Sequence, residues 1–218
     1  MNFRTWMLLG LLAAPAWAIP PVSFSLGYSA QVFSARSFDL VSSNDTFQSV
    51  RVGLGYSFRL PRGAIDLEAA FATGGTEEST HANVPVYFEL KGIEASVGYR
   101  YPLFAHLEPY LRVGAGWDWA TLTLQDATRL TQTVSNVSGA AMLGAQIPFK
   151  LGPNDSRAPS MLMDLGLGYT LRPGAGFHAM EPKRLVNPGE DPIAHGTTNL
   201  GTLPLSGIQY RVLMTIRL

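Results

Sequence analysis

The feature that most constrains this chain is a strict period of two, held for about ten residues at a time and repeated along its length. In Val50–Leu60 the even positions Val50, Val52, Leu54, Tyr56, Phe58 and Leu60 are all apolar. The odd positions are Arg51, Gly53, Gly55, Ser57 and Arg59. Successive side chains of a strand point to opposite faces, so this is a strand with one apolar and one polar face. With 46% of residues hydrophobic, one such run is within reach of chance. The same alternation recurs in Val22–Ser34, Ala64–Ala72, Gly92–Tyr101, Leu107–Thr121, Val137–Leu151, Met161–Leu171 and Ile208–Leu218. That makes eight strands, with no amphipathic helix between them. Val84–Lys91 is ambiguous: Val86, Phe88 and Leu90 are on the even phase, whereas the apolar phase is odd from Ile93. A bulge near Lys91-Gly92 is expected to absorb that slip.

The connections alternate in length. Residues 60–63, 101–106 and 151–160 are short or turn-rich, whereas 35–45, 73–84, 125–136 and 173–204 are longer and more polar. In an up-and-down antiparallel arrangement every second connection lies on one rim, so the short turns share one end and the long loops the other. Glycine followed by an aromatic recurs at Gly27-Tyr28, Gly55-Tyr56, Gly98-Tyr99, Gly116-Trp117 and Gly168-Tyr169, each glycine on the polar phase.

Two architectures fit such strands. In a soluble sandwich or barrel the apolar face is the core. In a membrane barrel it meets lipid, and the polar face fills the lumen. Three features favour the second. The loops alternate in length. The N-terminus, "MNFRTWMLLGLLAAPAWA", has Arg4, an apolar run and Ala16-Trp17-Ala18, the pattern of a signal peptide cleaved after Ala18. The polar phase mixes glycine with charges of both signs: Arg51, Arg59, Asp66, Glu68, Glu94, Arg100, Glu108, Arg112, Asp118, Lys150, Asp164, Arg211 and Arg217. Glycine weakens a solvated strand but makes room in a crowded lumen, where buried charges must pair. The expected organisation is therefore a signal peptide over 1–18 and a barrel over 19–218. The fold is all-β, an eight-stranded antiparallel up-and-down transmembrane barrel with short periplasmic turns and long extracellular loops.

On the apolar phase the aromatics Tyr28, Tyr56, Phe58, Phe71, Tyr99, Tyr101, Trp117, Trp119, Phe149, Tyr169 and Tyr210 are expected to face lipid and its interfaces. Lys+Arg and Asp+Glu are both 16, so no global field points to nucleic acid. The absence of cysteine excludes disulfides, thiolate metal sites and a Cys nucleophile.

"LEPYLRVGAGW" (107–117) and the final strand "IQYRVLMTIRL" resemble the small eight-stranded outer-membrane barrels, the OmpA-, OmpX- and OmpW-like and opacity-protein group. The resemblance implies residence in the outer membrane among lipid and lipopolysaccharide. It also implies handling by periplasmic chaperones and the barrel-assembly machinery. Tyr210, Val212, Met214, Ile216 and Leu218 would be the assembly signal, with Leu218 where the family usually has Phe. No periplasmic domain is expected after the last strand.

Catalytic signals are weak. Gly53-Leu54-Gly55 and Gly114-Ala115-Gly116 lie within strands with no helix following, so no dinucleotide site is expected. Asp66 and Glu68 share a face, which suits a carboxylate pair but suits ion pairs with Arg51, Arg59 or Arg112 better. His81, His106, His178 and His195 have no metal-ligand spacing. Some barrels of this size are lipid A-modifying hydrolases or acyltransferases with a Ser/His/acid set. Here that set would be His178 or His195, Glu181 or Glu190, and Ser206, with no compact motif. Neither cofactor nor metal is expected. The expected function is non-enzymatic, in envelope structure or surface interaction through the loops. The alternatives are a narrow channel for small or apolar solutes and, last, the lipid A enzyme. The long stretch 173–204 reads as a surface loop.

Overall fold

Alternation of this length closes into a ring. A computed structural model describes residues 22–33, 46–79, 85–104, 106–125, 129–149, 160–178, 180, 182–183 and 199–218. The wall is built from β1 (Val22–Phe33), β2 (Thr46–Leu60), β3 (Gly63–Ser79), β4 (Pro85–Arg100), β5 (Glu108–Gln125), β6 (Arg129–Phe149) and β7 (Ser160–Leu171). Three short pieces follow, β8 (Ala175–Phe177), β9 (Pro182–Lys183) and β10 (Gly201–Leu203), before β11 (Gly207–Arg217) completes the wall. Each wall strand pairs antiparallel with the next, and β11 joins β7 to β1. The signal-peptide region 1–18 lies outside the described residues.

The register fixes the barrel's shape. Stepping across partners from Phe33 leads through Gly207, Thr170, Ala140, Gly114, Ser96, Glu68 and Gly55 to Ser23, ten residues down β1 from the start. An eight-stranded barrel staggered by ten residues has strands tilted about 40° and a bore that side chains fill. The turn at Pro61-Arg62 and the 101–107 connection, the latter closed by a Phe104–Leu107 bridge, share one rim. Gly63 follows the first with φ +141°, a conformation that disfavours a side chain.

Two expectations are corrected. The β3–β4 and β4–β5 ladders run unbroken through Lys91 and Gly92, so there is no bulge there. The strands are also longer than the alternation suggested. β3 continues to Ser79 and β6 begins at Arg129, so most of the expected loops 73–84 and 125–136 is strand. β1, β7 and β11 have 12, 12 and 11 residues, whereas β3 to β6 have 17, 16, 18 and 21. One side of the barrel therefore rises well beyond the other at the loop rim.

Candidate functional site

The inward phase carries the charged residues, and they sort into three layers along the axis. Near the turn rim Arg100 donates to Asp66 through Nε at 3.0 Å and to Glu108 at 2.5 Å, and Ser57 donates to Asp66 at 2.6 Å. Arg217 lies 3.7 Å from Glu108 and donates to Gln146 at 2.9 Å. In the middle, Arg51 grips Glu94 with both terminal nitrogens at 3.0 and 3.1 Å and reaches Glu68 at 3.4 Å. Arg112 bonds the other oxygen of Glu68 and lies 3.8 Å from Asp164. Asp164 also accepts from Tyr110 at 2.6 Å and from Gln146 at 3.1 Å. Arg211, 2% exposed, sits within the field of Glu68, Asp164 and Glu94. Toward the loop rim Arg172 donates to Asp118 at 2.6 Å and to Gln31.

Each layer is neutral by itself: two arginines face two carboxylates, then three face three, then one faces one. Buried charge is tolerable only in such pairing. The glycines make the space. A Cβ on Gly92 would come within 2.1 Å of Asp118 Oδ1, and one on Gly144 within 2.4 Å of the Tyr110 ring. Two cavities border these layers. One of about 40 Å³ is bordered by Ser29, Ser49, Arg51, Glu94, Asp118 and Arg172. One of about 20 Å³ is bordered by Ser25, Ser57, Glu68, Arg112, Asp164 and Arg217. Both are water-sized, and the middle layer stands between them. Among the described residues Arg51 Nε and Arg211 Nε and Nη2 have no acceptor, so these donors call for water.

Beyond Asp118 the barrel inverts. Below this row β4 turns Val97, Ala95 and Ile93 outward, and above it Lys91, Glu89 and Tyr87. Inward, Ser96 and Glu94 give way to Leu90, Phe88 and Val86. The switch falls on one register row in three adjacent strands. Leu90, Ala120 and Val134 are partners on the inside, and Lys91, Trp119 and Ser135 on the outside. Higher still, on the outward phase, Thr121 and Thr133 pair in the open at 2.9 Å, and Thr123, itself buried, pairs with Thr131 at 3.1 Å. The collar so formed has an apolar interior in which Phe47 packs on Phe33 and Phe88 at 6.0 and 5.7 Å between ring centres. Ala175, Phe177, Met180, Leu203 and Leu205 complete that core. All but Leu205 belong to the stretch expected to be a surface loop. Over its described residues much of it is instead a hairpin, β8 against β10, seated in the mouth. Ser206 ties its base by two 2.9 Å bonds to the backbone of Arg172, and Gln31 donates to the Leu205 carbonyl at 2.8 Å.

Of the expected lumen charges, Asp66, Glu68, Glu94, Arg100, Glu108, Arg112, Asp118, Asp164, Arg51, Arg211 and Arg217 occupy these layers. Arg59 does not: it continues the inward phase past Ser57 but is exposed at the turn rim, with no ion-pair partner among the described residues. Lys150 lies outside the described residues. Arg172, Gln31, Tyr110 and Gln146 were not singled out from sequence. Arg172 had a signal, since it is two residues beyond Thr170 on the inward phase. The aromatics Tyr28, Phe58, Phe71, Tyr99, Tyr101, Trp117, Trp119, Phe149, Tyr169 and Tyr210 are exposed on the outer surface. Tyr56 is half-buried, packed on Phe58 at 4.7 Å. Tyr210, Val212, Met214, Ile216 and Leu218 all point outward and are exposed.

Among the described residues the Ser/His/acid set is not assembled. Ser206 is engaged with backbone, and His178 is held by Asn199 at 3.1 Å and Thr202 at 3.4 Å. His195, Glu181, Glu190 and His81 lie outside the described residues. Asp66 and Glu68 are bound by arginines rather than by each other. His106 is exposed at the turn rim. Among the described residues no group of three His, Asp or Glu could hold a metal ion.

A family model described as "Outer membrane protein beta-barrel domain" matches residues 5–171. No curated protein is significantly similar to the chain. Among solved structures, Neisserial surface protein A (NspA) is 14% identical with TM-score 0.46, over 90% of this chain and 96% of that one. Ail, the attachment invasion locus protein of Yersinia pestis, in complex with the heparin analogue sucrose octasulfate, is 13% identical with TM-score 0.49, over 91% and 97%.

Proposed function

The chain belongs to the outer membrane protein beta-barrel domain family, and from that premise we propose that it is a sealed, non-enzymatic surface anchor. Its apolar outer band meets outer-membrane lipid, the aromatics lie toward the two interfaces, and the collar with the loops above it is the working surface. Lipopolysaccharide surrounds the base of the collar, where Trp117 and Trp119 give way to Thr121 and Lys91. Residues 1–18 are removed on export, which N-terminal sequencing of the mature protein checks by starting at Ile19. The outward row of β11, from Tyr210 to Leu218, is what periplasmic chaperones and the assembly machinery read.

The observation that carries the reading is the closed lumen: among the described residues, three neutral charge layers lie under an apolar cap, and the two cavities beside the middle layer are water-sized. Purified protein in planar bilayers should therefore give no single-channel steps in concentrated KCl. Steps that change when Arg51 or Arg112 is neutralised would favour the channel, because the middle layer is all that separates the two cavities. Surface binding unaffected by deletion of the loop-rim connections would count against the collar as the working surface.

A further inference from the structure

The turn rim carries positive charge that the lumen does not use. Arg59 ends the inward phase of β2 exposed, and Arg62 is exposed in the two-residue turn that follows. Neither has an ion-pair partner among the described residues. The nearest charge layer has no carboxylate to spare. Arg100 already holds Asp66 and Glu108, and Arg217 lies 3.7 Å from Glu108. That layer is neutral without Arg59. Arg217 stands in the field of both Arg59 and Arg100, so the rim as a whole has surplus cations.

The sequence shows the same bias. Leaving aside the lumen layers and Arg4, the turn side has Arg59, Arg62, Lys150 and Arg157 against Asp155 alone. The loop side has nine carboxylates against five cations. The zero net charge of the chain therefore hides two ends of opposite sign.

The β2–β3 turn is held in one shape. Tyr99 Oη donates to the Arg62 carbonyl at 2.6 Å. Gly63 lets the backbone close down on β4: a Cβ there would lie 2.4 Å from the Arg100 carbonyl oxygen and 2.9 Å from Tyr99 Oη. The turn also sits at the lipid boundary. Phe58, Leu60 and Tyr99 flank it, exposed on the outer wall. A turn of two residues does not lift Arg62 far from them. An arginine at that depth meets headgroups, and its planar fork suits a phosphate.

We propose that the β2–β3 turn binds an anionic phospholipid of the periplasmic leaflet. The phosphodiester lies on Arg62, the charge of Arg59 stands beside it, and the acyl chains run along Phe58, Leu60 and Tyr99. The inference rests on the reading of the outer wall as lipid-facing. A phosphatidylglycerol headgroup brings a negative charge with no cation of its own. A choline headgroup brings an ammonium that the arginines repel. A soluble acidic partner would need a surface standing clear of the bilayer, which so short a turn does not offer.

The test uses protein folded into vesicles of equal phosphatidylglycerol and phosphatidylcholine and then released in mild detergent. Native mass spectrometry reads the lipids retained, and heat-modifiable mobility identifies folded barrels. Each arginine near a bilayer surface is worth about fivefold. The parent should therefore retain phosphatidylglycerol over phosphatidylcholine by about twentyfold, R62Q by about fivefold, and R59Q/R62Q at near parity. R129Q removes an exposed cation from the loop side and should match the parent. Y99F keeps every charge but releases the turn, and should lose about twofold. Equal retention of the two lipids by the folded parent overturns the site. A loss in R129Q as large as in R62Q does the same, since it reports net charge alone. An unchanged Y99F overturns the pinned turn as the site. Displacement of the lipid by inorganic phosphate, but not by chloride at equal ionic strength, would make this a site for free phosphate and overturn the lipid. A folded barrel without lipid preference leaves the surface anchor standing, whereas a chain that does not enter vesicles fails as an anchor first.

Discussion

Two stretches of the same strands use opposite rules. Between Arg100 and Glu94, β4 hides polar groups and shows aliphatic ones. Between Lys91 and Val86 it hides apolar groups and shows Lys91, Glu89 and Tyr87, with Lys91 bridging Glu89 at 2.8 Å in the open. Backbone pairing is unchanged across the junction. The difference lies in the solvent. Within the membrane, acyl chains cover the outside, and the lumen is held by ion pairs that must match one for one. Above it, water covers the outside, and the collar is held as a soluble protein is, by removing apolar area from water. Alternation therefore reports that a strand separates two environments, and the side chains on each face report which environment is which.

Removing Glu68 tests the lower regime most severely. Glu68→Ala leaves Arg51 without one carboxylate and Arg112 without its nearest one. An uncompensated buried guanidinium should cost about 3–5 kcal/mol, read as a lower urea midpoint for unfolding from lipid vesicles. A loss below about 1 kcal/mol would mean that the lumen is wet enough to screen the charge, and the two regimes would then differ less than their residues suggest. Phe88→Ala tests the upper regime with the same readout. Its ring is buried against Phe47, so truncation should cost about 3–4 kcal/mol, as in a soluble core. A near-neutral result would mean that the collar does not behave as a packed interior.

How far these regimes were legible in the sequence follows from the same contrast. Eight strands, their phases and most of the lumen charges were readable, because β geometry ties position to face without exception. The collar was not. Val86, Phe88 and Leu90 broke the rule that apolar means outward, and a bulge at Lys91-Gly92 was the cheapest way to keep that rule. The strand instead runs straight into a different solvent. Arg172 was missed because the alternation was taken to stop at Leu171. Its partner Asp118 was recognised, but a pairing across 54 residues has no local signature. The mouth hairpin was hidden by composition: proline and glycine in 173–204 read as loop, while Ala175, Phe177 and Met180 were filling a core that only the closed ring creates.

The finest discrimination comes from placing one residue type on the outer surface in both regimes. Leu54 faces outward in mid-strand on β2, and Thr133 faces outward on β6 above the switch. Leu54→Arg puts a guanidinium into hydrocarbon and should cost about 2–4 kcal/mol. Thr133→Arg puts the same group into water and gives up one hydroxyl pair, so it should stay within about 0.5 kcal/mol of the parent. Both sites lie in antiparallel strands, Leu54 paired on both sides and Thr133 on the β5 side, and the gap between the two costs reads chiefly the change of solvent across the row of Lys91, Trp119 and Ser135. Equal costs at the two positions would move the membrane boundary away from that row. A large penalty at both would place the collar inside the bilayer, and Lys91, Glu89 and the Thr121–Thr133 pair would then stand unsolvated in hydrocarbon, which their chemistry does not allow.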